Sequence, residues 1–354
     1  MPAALSDFER SRRQTMLIVN CVPDEMGWNP IQHLVVLASR LLEAETITVD
    51  EYPRSFLRQL SLALRCRRGT AATETCLLIC AGPGDIARVV SVEGWRGRFR
   101  HLAAWVIDSF WLEFIPKAVR LRNPFDHYFV TRQEDAADWK RITGVPTTWL
   151  PWGADALDLG SDGADRPWDL ARLGRQPPEW DDDASNGDAA RALGLGYHGR
   201  LPSDGLTALE VQRQVMGLYA ASKYLLAFSN AANPTRWTHP TRQYLTGRWV
   251  DALAGGSTVA GVAPRGEDAE RLLWPGATLE LGSVRRQEGL QVLSDALRSW
   301  TPAKAAHNNL MALERLDWRW RLKVIADTLG VGGAALGVEI DRLTRTIERR
   351  RAGD

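Results

Sequence analysis

Apolar positions along the chain gather in short runs, and amphipathic stretches separate them. Met16–Cys21 (MLIVNC) is the first such run and predicts a strand. Helical recurrence follows over Ile31–Glu45, a second strand over Thr46–Val49, a helix over Pro53–Arg67 and a third strand over Cys76–Cys80. His101–Ile107, Tyr128–Thr131 and Thr147–Leu150 read as strands four to six. Strand alternating with helix in this way predicts an α/β fold with a parallel sheet and helices on both sides. Residues 1–14 are polar and read as a frayed lead-in.

A second α/β series begins after Asp155. Residues 156–166, rich in Asp and Gly, read as a linker. A strand then starts within Arg166–Leu170 and leads into Arg172–Gln176. Residues 177–190 (PPEWDDDASNGDAA) read as an acidic loop, and Tyr197–Arg200 follows a weak strand. Val211–Ser222 is helical, Tyr224–Ser229 a strand, Ala277–Leu281 a late strand and Gln287–Trp300 a helix. Leu310, Leu313, Leu316, Trp320 and Ile325 form one apolar stripe and predict a helix over Asn308–Leu329, with another over Val338–Arg350. The organisation expected is two Rossmann-like domains, 1–155 and 156–330, and a closing helix in 331–354. No repeat of fixed period occurs.

Composition narrows the class. The chain has 354 residues, 45% of them hydrophobic and 25% charged, as expected of a globular protein with two domains. Lys plus Arg total 44 against 43 Asp plus Glu, so the balance offers nothing to nucleic acid. No apolar run is long enough to cross a bilayer, and no apolar core follows the N-terminal charges. A cytoplasmic protein is therefore expected, with room for peripheral contact with a membrane surface. Cys21, Cys66, Cys76 and Cys80 match no zinc pattern and read as small buried hydrophobes. The loop after the first strand (CVPDEMGWNP) lacks the G-x-G-x-x-G spacing of a nicotinamide site.

Two stretches carry chemistry. In Thr241–Pro264 (TRQYLTGRWVDALAGGSTVAGVAP), Leu245, Trp249, Ala252 and Leu253 recur at helical spacing. Gly255 and Gly256 stop that helix, and Thr258–Val262 suits a parallel strand. Arg248 and Asp251 lie three apart and so share one helix face. The other stretch ends the first half: TRQEDAADWKRITGVPTTWLPWGAD runs strand, loop, short helix, glycine, strand, then Pro151, Gly153 and Asp155.

Together these stretches resemble the GT-B glycosyltransferases, and within them the bacterial glycosyltransferase-like proteins grouped with spore protein CgeB. The likeness extends from Met16 to Leu329. It implies a GT-B fold with two Rossmann-like domains facing across a cleft, the first on the acceptor side and the second holding a nucleotide-sugar. It also implies a closing helix that crosses back to the first domain. In the family the acidic residue matching Asp251 holds the ribose of the donor. A first acidic residue eight positions earlier is absent here, where Gln243 stands. The implied activity is metal-independent transfer of a sugar from a nucleotide-diphosphate sugar to an acceptor hydroxyl. No cofactor beyond that donor substrate is expected.

Such a reaction assigns tasks. Diphosphate charge must be met by cations and backbone N–H groups, which points first to Gly174–Arg175 after a strand and then to Arg248. A salt bridge from Arg248 to Asp251 is the competing reading. His198 could bond the base or a phosphate, or be structural. Ser229, Asn230 and Asn233 form a polar loop after a strand and read as donor contacts or as turn formers. Asp108 ends the strand AAWVID and is the candidate catalytic residue, a general base if the enzyme inverts and an orienting group if it retains. Its competing reading is an N-cap of the following helix. Gly27, Trp28 and Asn29 are expected on the acceptor side, where Gly82 and Gly84 permit close backbone approach. Asp181–Asp183 read as solvated surface and no metal site is expected. The acceptor class stays open among glycan, lipid-linked sugar, natural product and protein, as does a homo-oligomer. Two other readings remain: an inactive relative kept as a binding or scaffold protein, and a sugar-nucleotide epimerase.

Overall fold

The structure is a computed structural model that describes residues 16–53, 55–63, 73–202 and 204–353. The polar lead-in, Cys66 and the end of the helix expected at Pro53–Arg67 lie outside these residues. By its contacts the chain divides into two units. One comprises Met1–Pro23, Val35–Leu150 and Leu322–Gly337, the other Asp24–Leu34, Pro151–Arg321 and Val338–Asp354.

In the first unit the strands β1 (Met16–Cys21), β2 (Glu45–Thr48), β3 (Glu74–Cys80), β4 (Phe99–Val106), β5 (His127–Val130) and β6 (Thr147–Trp149) form one sheet, in the order β2-β1-β3-β4-β5-β6. Every pairing is parallel, with Leu17 opposite Cys76, Leu77 opposite Ala103 and Phe129 opposite Thr148. The chain's first helix, α1 (Asn29–Leu41), starts within residues grouped in the second unit and continues in the first. The remaining helices here are the short α2 (Phe56–Leu60), α3 (Trp95–Arg98), α4 (Lys117–Leu121) and α5 (Asp135–Thr143). Each strand of a parallel sheet is covered on both faces, so it reads as an unbroken apolar run. That is why β1 and β3 stand out in the sequence. Leu17, Val19, Cys21, Cys76, Leu78 and Cys80 share one core face, which Trp139 of α5 closes. Burial pushes the Cys76 and Cys80 thiols well up, as expected of inert core residues.

The second unit has strands β7 (Trp168–Arg172), β8 (Tyr197–His198), β9 (Ser222–Phe228), β10 (Thr258–Val262) and β11 (Thr278–Glu280), all parallel, in the order β11-β10-β9-β7-β8. Between them run α6 (Asp183–Ala192), α7 (Ala208–Ala220), α8 (Gly247–Ala254), α9 (Glu267–Leu272) and α10 (Arg286–Leu297). The tail supplies α11 (Pro302–Arg315), α12 (Trp318–Leu329) and α13 (Ala334–Ala352). Contacts group the first turn of α12 with this unit and its remainder with the other; for α13 the reverse holds.

Two expectations are corrected. Residues 177–190 are not all loop: α6 starts at Asp183, capped by Asp182, whose Oδ1 accepts from Ser185 N–H at 2.6 Å. The helix expected over Asn308–Leu329 breaks at Leu316–Asp317, because Leu316 and Trp318 turn their backbone onto Ala154. Ala154 N–H donates to the Leu316 carbonyl at 2.9 Å, and Trp318 N–H to the Ala154 carbonyl at 3.0 Å. At the end of α8 it is Gly256, at φ 82°, that takes the left-handed backbone; Gly255 stays helical.

The break brings Arg319 beside Asp155. This guanidinium is fully buried and meets Asp155 at 2.8 Å, Asp158 at 2.6 Å, Asp317 at 3.1 Å and Glu339 at 2.8 Å. Asp155 also takes a 2.8 Å bond from His33 Nε2. Burial alone would raise the Asp155 carboxyl, but His33 and Arg319 hold it down at about 2. The expected linker thus starts on a buried ion-pair hub.

Candidate functional site

Strand order in the second sheet reverses between β7 and β9: the chain moves from β7 outward to β8, then returns past it to β9 and on to β10. Loops leaving the carboxyl ends of two such strands diverge and open a crevice where α/β sheets take ligands. After β7 comes Leu173–Gln176, and after β9 the segment from Ser229 to α8.

Gly174 has φ 63°, a left-handed backbone that favours glycine. The space beside it is taken as well, since a Cβ there would lie 2.4 Å from Arg248 Nη2. Arg248, near the start of α8, reaches across and donates from Nη1 to the Arg175 carbonyl at 3.0 Å. Arg175 itself is exposed. The two arginines expected at the diphosphate are therefore adjacent, and neither has a carboxylate partner among the described residues. Burial, then the nearby charges of Arg175 and Arg172, push the Arg248 guanidinium down. A partly buried cation flanked by two others can accept an anion.

The competing salt bridge to Asp251 does not form. Asp251 is 1% exposed and turned inward, where its Oδ2 accepts from Gln212 Nε2 of α7 at 3.0 Å. Its Oδ1 has no partner. Burial pushes its carboxyl up to about 7. Seven of the eight residues of α8 are buried, and Asp251 lies among them rather than beside Arg248's head group.

The other expected residues are spread more widely. His198 ends β8; its Nδ1 lies 2.8 Å from the Gly199 carbonyl and its ring meets Trp168 edge-on at 5.0 Å. Ser229 is buried, and its N–H donates to the Val262 carbonyl at 2.8 Å. Asn230 pins the following loop by donating from Nδ2 to the His239 and Arg242 carbonyls at 2.9 and 2.8 Å. The Ser229 carbonyl accepts from Asn233 N–H at 3.0 Å, as in a turn. Gln243 Oε1 accepts from Arg265 N–H at 2.9 Å. Gly27, Trp28 and Asn29 fall in a segment grouped with the second unit, where the turn Met26–Trp28 packs on α7. Asp108, in the first unit, is half-buried in the turn after β4, its N–H donating to the Ala81 carbonyl at 2.8 Å. No α-helix starts there; a single 3₁₀ turn, Leu112–Phe114, follows.

Sequence reasoning missed Arg172, Gln176, Asp181, Asp183 and Gln212. One signal was present: Arg172 is a charge inside a strand, WDLAR. Of the three aspartates read as solvated surface, Asp181 and Asp182 are exposed, but Asp182 caps α6, and Asp181 and the partly buried Asp183 both meet Arg172. Arg172 donates to Asp181 Oδ1 at 2.8 Å and lies 3.1 Å from Asp183 Oδ1. Among the described residues no three His, Cys, Asp or Glu side chains gather in a way that could hold a metal ion. Nor is any described helix long and apolar enough to cross a membrane.

No protein-family model matches the chain, and no curated protein matches it in sequence. Solved structures do. HepE from Anabaena, in complex with UDP and glucose, superimposes with a TM-score of 0.52 at 15% identity over 89% of this chain and 99% of that one. Its complex with UDP-glucose gives 0.53 at the same identity and coverage. A glycosyltransferase from Rickettsia africae gives 0.52 at 7% identity over 89% of this chain and 98% of that one. Likeness at this level of identity speaks to architecture. The chain has the two-domain α/β fold of the GT-B glycosyltransferases.

Proposed function

We propose that this protein is a GT-B glycosyltransferase of the CgeB-like kind, which takes a sugar from a nucleoside-diphosphate sugar and delivers it to an acceptor hydroxyl. One observation carries the reading: at the switch point of the second sheet Arg248 donates to the Arg175 carbonyl, and among the described residues neither arginine pairs with a carboxylate. Two such cations can meet the charge of a nucleoside diphosphate, which gains one further negative charge on its β-phosphate as the sugar leaves, and so stabilise the transition state more than the ground state. Gly174 lets backbone and guanidinium approach the phosphates together. With arginine supplying the charge, a metal-independent reaction follows. The UDP and UDP-glucose in the HepE structures support a nucleotide-sugar as the donor class. Transfer also needs an acceptor-side group, and Asp108 at the end of β4 offers a carboxylate for the hydroxyl proton. Glycan, lipid-linked sugar, natural product and protein acceptors all present such a hydroxyl.

A thermal-shift panel of UDP, GDP, TDP, CMP and their sugar conjugates tests this, run on the wild type and on Arg175→Ala. One nucleoside diphosphate should raise the wild-type Tm and leave the variant unmoved. A panel without a single stabilising member would remove the reading.

The inward turn of Asp251 and the neutral Gln243 favour a second reading, a relative that binds nucleotide-sugar without transferring it. Donor turnover to free nucleotide in the presence of acceptor extracts separates the two.

A further inference from the structure

Arg172 is the last residue of β7, and its side chain is 0% exposed. A guanidinium keeps its charge at any ordinary pH, so burying one is costly unless acceptors surround it. Nη2 donates to the Asp181 carbonyl and to Asp181 Oδ1 at 2.7 and 2.8 Å, and Nη1 to the Gly174 carbonyl at 2.8 Å. Asp183 reaches on to Tyr197 of β8, whose hydroxyl donates to its Oδ1 at 2.7 Å. One buried cation thereby joins the end of β7, the start of α6 and β8.

The bond to Gly174 belongs to a larger pattern. Three successive carbonyls of the loop each take a side-chain donor. Gln176 Nε2 holds that of Leu173 at 2.9 Å, Arg172 that of Gly174 at 2.8 Å, and Arg248 that of Arg175 at 3.0 Å. Carbonyl oxygens would repel a phosphate, and here all three are engaged by the protein's own donors. Gln176 is in turn fixed to the Leu226 carbonyl of β9 at 3.1 Å. The loop is therefore clamped from both strands that flank the switch point.

We propose that Arg172 is a positioning residue for anion binding: it touches no ligand, but fixes the Gly174 peptide so that Arg175 and Arg248 converge. The inference rests on the phosphate-binding reading of those two arginines.

The test uses the full chain and inorganic pyrophosphate, which probes the charge site without any base. Calorimetric Kd values are measured for the wild type, Arg172→Met, Arg175→Ala and the double variant, with amide hydrogen exchange followed over residues 173–176. Arg172→Met should weaken pyrophosphate about tenfold and speed exchange in that segment. In the Arg175→Ala background the same change should cost less than about twofold, because Arg172 acts through the loop that carries Arg175. Equal losses in both backgrounds, or unchanged exchange, would overturn the proposal. Should Arg172→Met not fold, Arg172→Lys keeps the charge but cannot bridge Gly174 and Asp181 at once, and the same loss and faster exchange are expected of it. Should the wild type bind no pyrophosphate, the phosphate reading falls. Faster exchange over 173–176 in the variant would then show only that Arg172 holds the loop, and the anion-positioning proposal falls with the reading on which it rests.

Discussion

Gly174 and Arg248 compete for the same small volume: a methyl group on Gly174 would lie 2.4 Å from Arg248 Nη2. At φ 63° the glycine also holds a backbone that disfavours any side chain, by roughly 1–2 kcal/mol. Gly174→Ala should therefore lower the Tm by ~2–4 °C per kcal/mol lost and displace Arg248 from the Arg175 carbonyl. Binding of the stabilising nucleoside diphosphate should fall at least about tenfold by calorimetry. An alanine variant that binds like the wild type would mean that the convergence of the two arginines is not used.

Arg248 separates function from stability. Burial and the charges of Arg175 and Arg172 all work against its cation. Arg248→Ala should leave the Tm within a few degrees of wild type, since repulsion is relieved as one hydrogen bond is lost. Nucleotide protection in the thermal-shift assay should vanish. Wild-type affinity should also weaken as salt rises from 50 to 500 mM, about as expected for an exposed charge contact. A variant whose Tm falls sharply while nucleotide protection persists would assign Arg248 to the scaffold.

Asp251 makes stability depend on pH near neutrality. Burial raises its folded pKa to about 7, against about 3.9 for an aspartate in the unfolded chain. Between those values the folded state holds a proton that the unfolded chain has lost, so stability falls as pH rises toward 7 and levels off above it. Asp251→Asn keeps the acceptor for Gln212 and removes the titration. Its Tm should match wild type near pH 3, below the unfolded pKa, and exceed it increasingly up to pH 8, by several degrees. Parallel pH profiles for the two proteins would contradict this.

Arg319 is the opposite case, a buried cation whose removal strands carboxylates. Arg319→Met leaves Asp155, Asp158, Asp317 and Glu339 without their common partner. A loss of about 3–5 kcal/mol at pH 7 is expected from denaturant unfolding. In the wild type the Asp155 contribution is full above the unfolded value and disappears as pH falls through about 2. Without the arginine the carboxyl should protonate at higher pH, so the variant's deficit should narrow at pH 4. A deficit below 1 kcal/mol would show that the hub is dispensable.

Asp108 should separate binding from transfer. Asp108→Asn removes the carboxylate from the turn after β4. Nucleoside-diphosphate Kd should be unchanged while sugar transfer falls by about 10²–10⁴. Equal loss of binding and transfer would count against a role in the chemistry.

Much of the framework was legible because burial in a parallel sheet writes itself into the chain. β1 and β10 coincide with their apolar runs end to end, and β3 to β6 within two residues at each end. Gly174–Arg175 and Arg248 were legible for a local reason, a glycine and an arginine directly after a strand, and an arginine on an amphipathic helix. Helix α6 was not. Its sequence, DASNGDAARA, is rich in residues that favour turns over helix interiors. It is held by the Asp182 cap, by the Asp183 carboxylate beside Arg172 and by Asn186, whose Nδ2 donates to the Trp180 carbonyl at 2.8 Å.

By itself, then, the sequence determined where the buried strands and the polar turns between them fall, because the hydrophobic effect and backbone preference act on neighbours along the chain. Strand order, and with it the switch point, came only with the tertiary structure. So did the partners of each charge. Arg248 and Asp251 sit three residues apart on one helix and point to different surroundings, one to an edge with two other cations, the other into a core beside Gln212. Charges choose partners by distance in space and by the dielectric around them, and neither is a property of spacing along a chain.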